Sequence, residues 1–243
     1  VGPRGNPNAQ VMIVGEAPGV NEDREGLPFV GPSGHILESL LASAGIPPSE
    51  VFFTNLSKYR PPSNHIRALV DNEGLPDDTL MAGLEELRDE ISRVNPNLII
   101  LLGNYPLRFL TGKGRWSKVE GTYDYTGIGD YRGSILEGNA LTGGRKCLGT
   151  YHPAAVLRQY PLKHIVRTDL QRAAEQSRFP EIRRPTKHLV LDPRGAERVA
   201  WLDWLQSPAG TLSPLGGYPS GLFLSADIEY IGSELLCLGA TRH

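Results

Sequence analysis

Three carboxylates, Glu16, Glu22 and Asp23, stand within eight residues of one another. A carboxylate can orient or deprotonate a water, or stabilise an oxocarbenium-like sugar by its charge. Spacing alone does not rank the three, and one of them can serve only to cap backbone N–H groups. The reading favoured here gives the water to Glu22, with Glu16 in support. Phe29 is set among Pro28, Pro32 and Gly31, which would hold its ring rigidly for stacking on a flat base. Such stacking contributes about 1–3 kcal/mol per base. Asn55 offers one acceptor and two donors in a single plane. That pattern fits a ring edge with N–H beside C=O, as at N3 and O4 of uracil, and opposes the reversed edge of cytosine. His152 can donate to a carbonyl oxygen that gains negative charge as a glycosidic bond breaks, a contact that acts most in the transition state. Plain structural alternatives stand beside these readings: core packing for Phe29, a turn or cap for Asn55, a structural role for His152. No matching set of His and Cys surrounds His152 to make it a metal ligand.

The elements that must position these groups follow from hydrophobic pattern. Residues 11–15, 51–55, 98–102 and 147–151 are short apolar runs that suit strands buried on both faces. The first opens into a Gly/Pro-rich stretch that favours a loop over a helix. Helices are expected over His35–Ala44, with Ser33 as cap, over Asp77–Val94, after Gly103 through Leu110, and over 162–176. Residues 112–145, rich in Gly, Tyr and Trp, read as irregular hairpins. Alternating strands and helices predict a three-layer α/β/α fold with a central four-stranded, mostly parallel sheet. In such a sheet ligands bind beyond the carboxyl ends of the strands. Glu16 to Asp23, Asn55 and His152 each follow an apolar run, so all three exits should share one crevice.

A chain of 243 residues with 40% apolar and 21% charged residues is ordinary for a globular protein. No apolar run approaches the length of a membrane span, and no signal-peptide pattern opens the chain. Two cysteines, Cys147 and Cys237, make no disulfide framework, which favours a cytoplasmic setting. Net charge is −2, yet Arg132 to Lys187 holds 11 Lys/Arg against 4 Asp/Glu. That stretch is either a solvated basic face or a surface that tracks phosphates. Composition shifts after 177. The expected organisation is a domain over 1–177, a linker over 178–187 and a partial β-rich fragment over 188–243. Within that fragment, an apolar run at 188–191, a helix over 194–206 and a loop over 207–221 precede two strands.

The segment from Gly15 to Gly34, Gly-Glu-Ala-Pro-Gly-x-x-Glu-Asp-x-x-Gly-x-Pro-Phe-Val-Gly-x-Ser-Gly, resembles the first motif of the uracil-DNA glycosylase superfamily, family 4 in particular. Thr54–Asn64, Leu98–Gly103 and Tyr151–Ala154 follow in the family's order. The resemblance covers about residues 8–176. It implies hydrolysis of the N-glycosidic bond of deoxyuridine in single- or double-stranded DNA, after the nucleotide is flipped out of the stack. By matching position, Phe29 would stack on uracil, Asn55 would read it and His152 would contact O2. Gly15 and Pro153 would join the substrate-binding set. Leu157 and Arg158 would enter the DNA where the base has left. Family 4 enzymes carry a four-cysteine iron–sulfur cluster. Here Tyr59 and Gly83 stand where ligands would lie and no Cys pair precedes Val11, so no cofactor is expected. His65, where an Arg is common, reads as a phosphate contact or a surface residue.

Leu224-Ser225-Ala226-Asp227-Ile228-Glu229 resembles the first motif of a DnaQ-like 3′–5′ exonuclease. Asp227 and Glu229, two apart on one strand, would share metal ions if that domain were complete. The expectation is a monomeric glycosylase, joined to a downstream exonuclease or polymerase region of the same polypeptide. The alternative is an inactive DNA-docking or uracil-sensing domain.

Overall fold

The computed structural model describes residues 1–119, 121–183, 224–231 and 234–242. The chain forms two compact units, Val1–Arg183 and Arg184–His243. The strands of the first are β1 (Arg4–Gly5), β2 (Val11–Gly15), β3 (Val51–Asn55), β4 (Leu98–Leu102), β5 (Arg115–Val119), β6 (Thr122–Thr126), β7 (Ile135–Glu137) and β8 (Lys146–Thr150). Its helices are α1 (Val20–Glu25), α2 (Pro32–Ser43), α3 (Asp78–Val94), α4 (Asn104–Thr111), α5 (Ile128–Tyr131), α6 (Pro153–Arg158) and α7 (Leu162–Gln176).

The four expected strands form the parallel centre of the sheet, in the order β3-β2-β4-β8. Every residue in them is buried, because helices cover both faces and period-two alternation sends side chains into two cores. Met12 and Val14 pack with Leu80, Leu84, Leu87 and Ile91 of α3. Val11 and Ile13 pack with Leu37, Leu40 and Leu41 of α2 and with Val166 and Leu170 of α7. The three layers are as expected; the sheet is wider. β1 pairs antiparallel with β3, and β7 with β8, giving six strands. These edges are two and three residues long, too short for a periodic signal. β5 and β6 form a separate antiparallel hairpin.

Helix α2 starts at Pro32 behind an extended Gly31, so Ser33 lies inside the first turn rather than capping it. α3 begins where Asp77 accepts the Leu80 N–H at 2.8 Å. The stretch expected to be all loop contains α1, whose start is closed by Glu22 folding back onto the Gly19 N–H. The segment expected as a linker from 178 is held on the first unit through Glu181, since buried Lys146 donates its Nζ to the carbonyls of Phe179 and Glu181.

In the second unit, β9 (Leu224–Ile231) and β10 (Glu234–Arg242) pair antiparallel, with Asp227 opposite Gly239 and Glu229 opposite Cys237. The expected helix over 194–206, its preceding run and the following loop lie outside the described residues. Among the described residues no helix is long and apolar enough to cross a membrane.

Candidate active site

The order of the central strands reverses beside β2: the chain runs from β2 outward to β3, then crosses to β4 on the other side. A crevice opens beyond the carboxyl ends at such a point. Here it is a cleft of about 900 Å³. Glu16 enters it from the end of β2, Asn55 from β3, Tyr105 from the first turn of α4, and His152 from the loop after β8; Glu22, Phe29, Leu157 and Arg158 also line it. The three polar strand exits therefore meet as expected. Gly15 and Pro153 are buried just behind the lining. Asp23 is exposed and faces a separate depression beside Tyr59 and Arg60. Asp227 and Glu229 belong to the other unit.

The floor of the cleft depends on a missing side chain. A Cβ on Gly15 would lie 2.4 Å from Asn55 Oδ1 and 2.6 Å from the Phe29 ring. Without it, amide and ring converge over the end of β2, and Asn55 is only 6% exposed. Phe29 takes a left-handed backbone, φ 57°, which a bulky residue holds only when its surroundings fix it. Two neighbours do so. Gly34 lets α2 approach so closely that a Cβ there would overlap the Phe29 carbonyl. Arg4 donates to the carbonyls of Pro28 (2.6 Å) and Phe29 (3.2 Å), pairs with Glu38 at 2.6 Å, and lies 4.3 Å over the Phe53 ring. Sequence reasoning missed Arg4, which lies outside every motif.

The carboxylates separate by environment. Both oxygens of Glu22 accept backbone N–H groups, Gly31 at 2.8 Å and Gly19 at 3.1 Å. Its side chain bridges the two ends of the loop. Glu16 lies against Gly103, which the His152 side chain also approaches. Burial in the cleft and the negative charge of Asp124 push its carboxyl up to about 7, opposed by the Tyr105 N–H and by Arg158. Asp124 lines the cleft from β6 and accepts the Tyr105 hydroxyl at 2.6 Å. Burial and that bond raise the Tyr105 hydroxyl above its ordinary value.

His152 stands immediately before α6, and its Nδ1 accepts the Ala154 N–H at 3.1 Å. The neutral ring must then carry its proton on Nε2. Burial and Arg158 lower it to about 4, against the pull of Glu22. It is therefore a neutral donor at ordinary pH. His65 is exposed at the cleft wall, after left-handed Ser63 and Asn64.

The residues at two of the implied cluster positions do not fit an iron–sulfur group. Tyr59 is 60% exposed and has no thiol. A Cβ on Gly83 would lie 2.4 Å from the Leu56 carbonyl oxygen and 3.1 Å from the Ser57 Cα, so α3 leaves no room there for a cysteine. Cys147 is buried in β8, where desolvation pushes its thiol up to about 12.

Over the first unit the chain is similar to known proteins. The chain is 37% identical over 174 residues to the type-4 uracil-DNA glycosylase of Saccharolobus solfataricus, covering 70% of this chain and 73% of that one. It is 32% identical over 171 residues to the type-4 uracil-DNA glycosylase of Archaeoglobus fulgidus, covering 70% and 78%. A DNA polymerase of Bacillus phage SP01 is 30% identical over 169 residues, which are 69% of this chain and 16% of the polymerase. Residues 3–173, spanning every strand of the parallel sheet and every side chain that lines the cleft, match the uracil DNA glycosylase superfamily, and to that superfamily the chain belongs.

Proposed function

We propose that the chain hydrolyses the N-glycosidic bond of deoxyuridine in DNA, releasing uracil and leaving an abasic site. The observation that carries this reading is the convergence of Asn55 and Phe29 over Gly15. A flipped uracil would stack on Phe29, with Asn55 Oδ1 accepting from N3–H and Nδ2 donating to O4. Cytosine would set acceptor against acceptor and donor against donor, and one such mismatch at a buried group costs about 1–3 kcal/mol.

As the C1′–N1 bond breaks, its electron pair passes to the base and negative charge gathers on O2. His152 Nε2–H donates there. A neutral donor gains most as that charge develops, so it lowers the barrier more than it tightens substrate binding. The sugar becomes cationic at C1′, and water adds to it and loses a proton. Glu16 is the carboxylate proposed to face that water and charge. Glu22 keeps both oxygens on the loop that carries Phe29, so it is assigned to shape the pocket. Leu157 and Arg158, exposed at the end of α6, would occupy the gap left in the duplex. Tyr59 and Gly83 support a reaction without a cluster bound at those positions. The match to part of a phage polymerase supports reading the chain as the glycosylase part of a larger polypeptide. Asp227 and Glu229 would there begin an exonuclease site.

The test is cleavage of a labelled oligonucleotide with one uracil, followed by alkali, in single and double strands beside thymine and cytosine controls. Strand breaks only at uracil, abolished by Asn55→Ala, are expected. No break by a folded protein would overturn the hydrolase in favour of a docking domain.

A further inference from the structure

Behind Asn55 lies a buried ionic network that the chemistry above does not use. Lys58 and Glu90 pair at 2.8 Å with side chains 5% and 6% exposed. Lys58 Nζ also donates to Thr54 Oγ1 at 2.7 Å and to the Asn55 carbonyl at 3.1 Å. Thr54 Oγ1 in turn donates to Glu90 Oε2 at 2.6 Å. The three ammonium protons thus have three acceptors. The network spans β3, the loop after it and α3, and it lies beside the contact of Gly83 with the Leu56 carbonyl.

We infer that the Lys58–Glu90 pair is a positioning device for Asn55, fixing the direction in which its amide points. After Asn55 the chain is tied to β2, where the Leu56 N–H donates to the Gly15 carbonyl at 3.0 Å and the Ser57 N–H to the Glu16 carbonyl at 3.1 Å. The carbonyl of the peptide that bears the Leu56 N–H, on Asn55, accepts from Lys58 Nζ. Turning that peptide would strip a buried ammonium of an acceptor, a loss that a buried charge resists strongly. With the strand before it in the ladder beside β2 and the peptide after it held at both its N–H and its carbonyl, the Cα–Cβ direction of Asn55 is set, and with it the point from which its amide enters the cleft. Helix α3 is drawn against the strand end by a charge pair and a glycine contact, in the region where the resemblance implies a metal cluster.

The inference rests on the proposed function only for its catalytic readout. Removing one partner leaves a buried charge and destabilises the protein, so Lys58→Met and Glu90→Gln are made together. Replacing a buried pair by neutral groups of similar volume commonly preserves the fold. The first readout is the ¹H–¹⁵N signal of the Asn55 side-chain amide, assigned by its loss in Asn55→Asp. The expected result is a sharp pair in the parent that shifts or broadens in the double variant at unchanged thermal midpoint. The second readout is excision of uracil. kcat is expected to fall about tenfold or more, as a misplaced contact costs, while affinity for uracil-free DNA stays the same. If the double variant does not fold, Glu90→Asp replaces it, keeping both charges while drawing Nζ away from the Asn55 carbonyl. An unmoved Asn55 signal in a folded variant overturns the inference, as does unchanged kcat in an active background. If the parent excises nothing but the signal moves, the positioning role stands and the proposed reaction falls.

Discussion

A methyl group on Gly15 would press on both the Asn55 amide and the Phe29 ring. Gly15→Ala is therefore expected to lower uracil excision about a hundredfold, since small displacements of reacting partners cost that much. Because the glycine's φ is not left-handed, the fold should survive, and circular dichroism beside the excision assay checks both halves. The carboxylate and the histidine give opposite dependences on pH. Glu16 accepts a proton only when ionised, so excision should rise as pH climbs through about 7, while His152 stays neutral down to about 4. For stability the sign follows from linkage. The raised Glu16 stabilises fully below its ordinary 4.5, and that contribution is lost as pH rises through about 7. Glu16→Gln should therefore gain in melting temperature over the parent across that window and hold its gain above it. That Phe29, Asn55 and His152 meet in one cleft was legible in the sequence because apolar runs and rigid loops frame them. That Glu22 spends both oxygens on the Gly19 and Gly31 N–H groups was not, since those bonds depend on how the loop folds back.

At the scale of elements, α1 is the instructive omission. Gly and Pro suggested loop throughout, yet Gly19 followed three residues later by Glu22 is a helix start closed by a side chain reaching back. The edge strands β1 and β7 left no pattern because they are set by pairing with β3 and β8, not by their own residues. β1 nonetheless delivers Arg4 to the Phe29 loop. Arg4→Ala removes two charge-assisted bonds to carbonyls and a stacked cation. It is expected to cost about 1–3 kcal/mol, the range for such bonds with one partner partly exposed, measured by urea denaturation. KM for uracil DNA should rise with it if the ring loosens. Gly83→Ala should destabilise by about 1–3 kcal/mol through overpacking, read in the same way.

At the scale of the molecule, the parallel sheet, its helices and the crevice followed from alternating apolar runs and amphipathic segments. The boundary of the first unit did not, because it hangs on one buried side chain. Lys146 is 1% exposed and finds its acceptors at Phe179 and Glu181. A chain ending at Arg183 should therefore melt cooperatively with its cleft intact. One ending at Ser177 should lose about 1–3 kcal/mol by removing both of that ammonium's acceptors and the ring stacked on it, which comparative thermal melts would show.

The clasp of Glu22 on Gly19 and Gly31 has a kinetic consequence. It closes the loop from the first residue before α1 to the residue before α2 into a ring pinned at both ends. Ordering that loop is completed when the protein folds, so a base arriving in the pocket meets no slow rearrangement. The slow event then falls to the nucleic acid. Turnover should track how weakly the uracil is stacked and paired, fastest in single strands, slower opposite guanine and slowest opposite adenine. Rapid-mixing traces should show one binding phase with no later isomerisation of the protein.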